Sequence, residues 1–109
     1  MGYFYLLLAI IGEVVGTIYL KSTNNFSELL PSTYVVIGYA TAFYFMMLAM
    51  KTIPIAITYS IWAGVGISAI TILGALKYKE IPDLMALLGL GLIIVGVIIL
   101  VFYSKMGAN

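Results

Sequence analysis

From Tyr3 to Leu20 the chain carries one charged side chain, Glu13, and three further stretches, at about 32–50, 54–76 and 84–103, carry none. A helix that crosses a bilayer needs roughly 20 mostly apolar residues. Four segments of that kind fill most of the 109 residues, so no soluble domain is left over. Charge marks the breaks between them. Lys21, the polar run Ser22-Thr23-Asn24-Asn25, Glu28 and Pro31 make the first connection; Lys51 and Pro54 make the second; Lys77, Lys79, Glu80, Pro82 and Asp83 make the third; Lys105 closes the last span. Pro31 and Pro54 suit the first turn of a helix, where a missing N–H costs little. Asp83 suits an N-cap. The expected fold is an all-α integral membrane protein with four transmembrane helices per chain.

Composition agrees with lipid as the solvent. Only 8% of the residues are charged, against roughly 25% in a soluble domain. The chain has no cysteine, histidine or arginine. That removes disulfides, thiolate chemistry, the commonest metal ligand and general base, and the bidentate phosphate clamp. No metal or other cofactor is expected. A net charge of +1 offers no basic patch for nucleic acid. Met1-Gly2-Tyr3 lacks the positive start of a secretory signal, and Leu6 stands where a myristoylation site needs Ser or Thr. The first helix is expected to be retained.

Lysines set the orientation of short-looped membrane proteins. Lys51 and Lys105 fall on one side, and Lys21, Lys77 and Lys79 on the other. So small a bias leaves two readings: an ordinary topology weakly specified, or insertion both ways up, with dimers of opposite orientation. Residues 1–50 and 54–103 show no internal repeat. Many transporters rock one inverted repeat against another. A chain without one can obtain it from an inverted copy of itself.

A carboxylate at mid-bilayer costs about 2.5–3.5 kcal/mol on insertion scales. Its default reading is therefore a functional site facing the bundle interior, with a structural hydrogen bond as the alternative. Helical spacing puts Leu6, Ala9, Thr17 and Leu20 on the face of Glu13, with Ile10 and Gly16 at its border. Ala9, Gly16 and Thr17 are small and leave room for an approach to the carboxylate. Gly12-x-x-x-Gly16 also suits close helix packing, and both uses fit on one helix.

In the third span Tyr59 and Trp62 share a face, with Gly66 one turn beyond Trp62. Trp62 lies eight residues past Pro54, about 12 Å deep at 1.5 Å per residue, close to mid-membrane and away from the headgroup belt where tryptophan is usual. Indole and phenol faces attract cations by roughly 0.5–2 kcal/mol each. Tyr39 and Phe43 share a face of the second span, continued by Met46 and Met50; taken alone they read as packing or lipid-facing residues. Ala63-Gly64-Val65-Gly66 is either a hinge or a close-packing patch. In the fourth span Gly89 and Gly96 lie on one seam with Ala86 and Ile93, which suits a helix–helix contact between copies.

A buried carboxylate among aromatic walls can hold a proton or a cation. If it cannot hold both, and changes sides only when occupied, protons entering drive cations out. Two copies near each other would titrate as a pair. Flat aromatic walls suit a lipophilic cation better than sodium, which wants several oxygen ligands. No nucleophile–base pair or metal set points to an enzyme. A leaky scaffold or holin-like pore would leave Glu13 without a task.

The segments "GEVVGTIYLKST" around Glu13 and "IPIAITYSIWAGVGI" in the third span, with Pro31-Ser32, Gly89 and Gly96, carry a resemblance over nearly the full length. The chain resembles the small multidrug resistance (SMR) transporters. The resemblance implies a single domain over 1–109 and an antiparallel, dual-topology, asymmetric homodimer in the bacterial inner membrane. It implies proton-coupled export of lipophilic and quaternary ammonium cations, with proton and substrate taking turns on Glu13. By the same resemblance Tyr59 and Trp62 are binding-site aromatics, and Tyr3, Ala9, Gly16, Thr17 and Tyr39 line the pocket. Phe43 joins them as a candidate through the face it shares with Tyr39. Gly64 and Gly66 match a kink in the third helix, and Gly89 and Gly96 a dimerisation seam. Gly16 favours the multidrug branch, because guanidinium exporters of the family typically carry tryptophan there. The alternative within the family is a guanidinium or polyamine exporter. Ala42 stands where a serine is common and Tyr44 where a tryptophan is; the missing hydroxyl at position 42 removes a possible partner of Glu13.

Overall fold

The computed structural model describes residues 1–105. Its elements are four helices: α1 (Gly2–Leu20), α2 (Leu29–Ala49), α3 (Ile55–Tyr78) and α4 (Leu84–Phe102), with a single 3-10 turn at Lys21–Thr23 after α1. Each helix is long and apolar enough to cross a membrane. The shortest, at 19 residues, spans about 28 Å. The helices fall into two compact units, Met1–Thr52 with α1 and α2, and a second beginning at Ile53 with α3 and α4.

Local chemistry places the helix ends. After α1 the Thr23 hydroxyl donates to the Leu20 carbonyl (2.8 Å). Asn24, Asn25 and Phe26 then take left-handed backbone conformations, with φ of 47°, 61° and 64°. Asparagine tolerates this region; phenylalanine does not favour it. The corner is closed by Glu28 N–H donating to the Thr23 carbonyl (3.0 Å) and by the Ser27 hydroxyl donating to the Asn24 carbonyl (2.7 Å). α2 begins at Leu29, three residues earlier than the sequence pattern suggests. Pro31 is its third residue, still among the N–H groups that have no intrahelical partner. The Glu28 carbonyl accepts from the backbone N–H and the hydroxyl of Ser32 (3.1 and 2.6 Å).

Pro54 is the residue before α3, and its carbonyl accepts from Thr58 N–H (2.9 Å). α3 runs two residues past the expected end. It stops where Lys79 turns left-handed, at φ 58°, and Glu80 N–H reaches back to the Gly74 carbonyl (3.2 Å). Asp83 caps α4 as its position suggests, its Oδ1 accepting from Ala86 N–H (2.8 Å).

In the first unit α1 and α2 run antiparallel, backbone against backbone. A Cβ built on Gly12 would stand 2.8 Å from the Gly38 carbonyl oxygen; one built on Gly38 would stand 2.6 Å from that of Gly12 and 2.8 Å from Gly16 N. Aromatic pairs close the two ends: Tyr5 stacks on Phe45 with centroids 6.0 Å apart, and Tyr19 tilts against Tyr34 at 5.0 Å. In the second unit Gly64 gives close approach to α4, where a Cβ would meet Val97 Cγ2 at 2.8 Å. No residue of α4 is buried.

Candidate functional site

Glu13 lies past the middle of α1, partly buried, between buried Gly12 and Val14. One turn on, Thr17 presents its hydroxyl to the carboxylate: Thr17 Oγ1 donates to Glu13 Oε1 at 2.9 Å. This is the i, i+4 contact that helix geometry makes available. The same Oγ1 lies 2.8 Å from the phenol oxygen of Tyr39 on α2. The other carboxylate oxygen, Oε2, is buried and has no hydrogen-bond partner among the described residues. A buried acceptor left unpaired costs about 1–3 kcal/mol, more when charged.

The site residues expected in the first unit divide into two groups. Glu13, Thr17 and Tyr39 are joined by hydrogen bonds, with Gly16 beneath the Tyr39 ring; the position of a Cβ on Gly16 lies 3.2–3.4 Å from ring atoms Cδ1, Cε1 and Cγ. On that side of Gly16 the Tyr39 ring fills the space. Ala9 is buried one turn before Glu13, with Leu6 buried beyond it. Tyr3 and Phe43, by contrast, are both more than half exposed, at 61% and 57%. Ala42 is buried without a hydroxyl, and the hydroxyl that Glu13 uses comes from its own helix.

In the second unit Tyr59 and Trp62 pack edge to face, ring centroids 5.6 Å apart at 78°. Tyr59 is exposed and Trp62 partly buried. Gly64 and Gly66 are buried, and α3 continues through them as one α-helix. Close packing is what Gly64 does here. Next to it Gly64, Val65, Ser68, Ile94, Val97 and Ile98 line an open groove of about 280 Å³. Gly89 and Gly96 are bare: beyond their own stretch of helix, no atom of the described residues lies within 4 Å of where a Cβ would stand. Among the described residues no His, Cys, Asp or Glu cluster can hold a metal ion.

Sequence reasoning missed Gly38, the residue that lets α2 meet the Gly12–Gly16 step. Its signal was available: Gly38-x-x-x-Ala42 repeats the small-residue spacing of Gly12-x-x-x-Gly16.

Comparison with known proteins gives the context of this arrangement. Residues 1–93 match the family model described as Small Multidrug Resistance protein. The chain is 42% identical over 108 residues to the quaternary ammonium compound-resistance protein QacE of Escherichia coli, covering 99% of this chain and 98% of the relative. It is 43% identical over 104 residues to a multidrug transporter of Pseudomonas aeruginosa, covering 95% and 94%. A putative ethidium bromide resistance protein of Salmonella typhimurium is 43% identical over 93 residues, covering 85% and 81%.

Proposed function

The chain belongs to the small multidrug resistance family, and we propose that it is a proton-coupled antiporter exporting lipophilic and quaternary ammonium cations. It is a multi-pass protein of the bacterial inner membrane, and its family moves substrates and does not transform them. The names of its relatives, which confer resistance to quaternary ammonium compounds or ethidium, support a cationic substrate.

The observation that carries the reading is the buried, unpaired Oε2 of Glu13. A carboxylate oxygen in lipid gains most from a proton or a cation, and one oxygen cannot serve both fully. Competition for it couples the two fluxes without nucleotide, metal or covalent step. Tyr59 and Trp62 form an edge-to-face pair whose remaining ring surface suits a flat or quaternary cation. From the first unit, Tyr3, Ala9, Thr17, Tyr39 and Phe43 are the further substrate-site residues of this reading, with Gly16 beneath the Tyr39 ring. The working unit is an antiparallel homodimer joined along the Gly89 and Gly96 seam of α4, with Gly64 and Gly66 as the point where α3 bends during exchange. The two copies of Glu13 then take proton and substrate in turn.

Binding of tetraphenylphosphonium to the purified protein across pH, for the wild type and Glu13→Gln, tests this. Affinity should rise with pH in the wild type, as fewer protons compete, and vanish in the variant. Affinity indifferent to both pH and the substitution would make the carboxylate structural. Guanidinium run in parallel distinguishes the branches: competition by guanidinium but not by tetraphenylphosphonium would move the chain to the small-cation exporters.

A further inference from the structure

The two oxygens of Glu13 are not equivalent. Oε1 receives the Thr17 hydroxyl at 2.9 Å, and Oε2 is buried and receives nothing. A threonine hydroxyl has one proton to give. Thr17 gives it to Glu13, so in the 2.8 Å contact between Thr17 Oγ1 and Tyr39 Oη the phenol must be the donor. The proton order is therefore set: Tyr39 to Thr17, and Thr17 to Glu13 Oε1. The order also holds when Oε2 carries a proton, because Oε1 is then a carbonyl oxygen and still accepts.

The backbone explains how Tyr39 comes to stand there. The contact at Gly38 is so close that a Cβ built there would stand 2.8–3.0 Å from the Gly16 backbone, and the bare Gly16 provides the surface on which the Tyr39 ring lies, with ring atoms 3.2–3.4 Å from the position of a Cβ. Gly16 is in this respect a seat and not an opening.

We infer that Thr17 and Tyr39 are positioning residues, forming a one-way hydrogen-bond chain that reserves Oε1 for the protein and leaves Oε2 as the atom that takes proton or cation. The inference rests on the reading of Glu13 as the shared site. Pinning one oxygen fixes the plane of the carboxylate about its terminal bond, which otherwise turns broadly. It also makes Tyr39 act on the substrate at one remove, through Thr17.

The test combines two readouts on the purified full chain: tetraphenylphosphonium affinity, and the infrared carboxyl bands of Glu13, assigned by difference from Glu13→Gln. Thr17→Val keeps the volume and removes the donor. It should shift the Glu13 band and weaken binding about tenfold, the lower end for a hydrogen bond to a charged group. Thr17→Ser should restore both. Tyr39→Phe should shift the band in the same direction by less. In the double variant Tyr39→Phe should add nothing to Thr17→Val, because its path to the carboxylate is already cut. A Glu13 band unmoved by Thr17→Val, or a Tyr39→Phe effect that adds in full, overturns the chain. Should Thr17→Val fail to fold, Tyr39→Phe alone decides, since the inference requires it to move the Glu13 band. If tetraphenylphosphonium still binds Glu13→Gln, the reading of the site has failed and not the chain of donors.

Discussion

The two helix pairs solve the same problem in opposite ways. α1 and α2 meet backbone to backbone, with glycines on both sides of the contact and an aromatic pair at each end. α3 and α4 meet at Gly64 and Val97, and α4 has no buried residue. In water so bare a helix would be untenable. In lipid it is not, because the tails are as apolar as the side chains they touch. Exposure of Leu92 or Ile99 therefore says nothing about a partner. The bare glycines say more: among the described residues, Gly89, Gly91 and Gly96 make no use of the close approach that a missing Cβ permits. The lesson is that in a membrane chain, backbone proximity and not apolar burial separates a completed contact from an open one.

The comparison can be broken first at Gly38. Gly38→Ala places a Cβ 2.6 Å from a backbone oxygen and 2.8 Å from a backbone nitrogen, neither of which can swing aside. The helices must separate, at about 2–3 kcal/mol in the range of overpacked cores. A fall of the unfolding midpoint in detergent titration, with loss of drug resistance in cells, is expected. Gly64→Ala meets only the tip of Val97. It should cost about 1 kcal/mol, and Val97→Ala should recover most of it in a double-mutant cycle. If Gly64→Ala is the more damaging of the two, the contrast between the pairs is wrong.

Smaller effects sharpen the comparison. Lys79 ends α3 in the left-handed region at φ 58°, where a side chain costs about 1 kcal/mol relative to glycine. Lys79→Gly should raise the thermal midpoint modestly. Gly89→Ala and Gly96→Ala have nothing to collide with among the described residues. They should change the stability of the isolated chain by less than about 0.5 kcal/mol. Any larger loss should appear only in the association of two copies, read by energy transfer between labelled chains. Loss of helix content in the dispersed monomer would refute the open seam.

Much of this was legible because charge is so scarce. Eight of the nine charged residues lie outside the spans, so the breaks name the helices. The start of α2 was less legible, since Leu29 and Leu30 carry no signal and Pro31 fits any position of the first turn. The Glu13–Thr17 bond follows from spacing within one helix. The Tyr39–Thr17 bond does not: it depends on the register of two helices, 22 residues apart in sequence, which only the mutual approach of Gly12, Gly16 and Gly38 fixes. The packing of the Tyr39 ring on Gly16 is hidden from the sequence for the same reason. A small residue advertises room, and the neighbouring helix decides what occupies it.

The contact at Gly12, Gly16 and Gly38 has a mechanical consequence. Helices held apart by long side chains can slide as those side chains change rotamer. Here the spacing is set by the van der Waals radii of backbone atoms, which have no rotamers. The distance between the two helices therefore has little freedom to shrink. When α1 tilts, α2 must tilt with it, as the two flanges of one beam. A phenol on one flange and a carboxylate on the other then keep their separation through any swing of the whole.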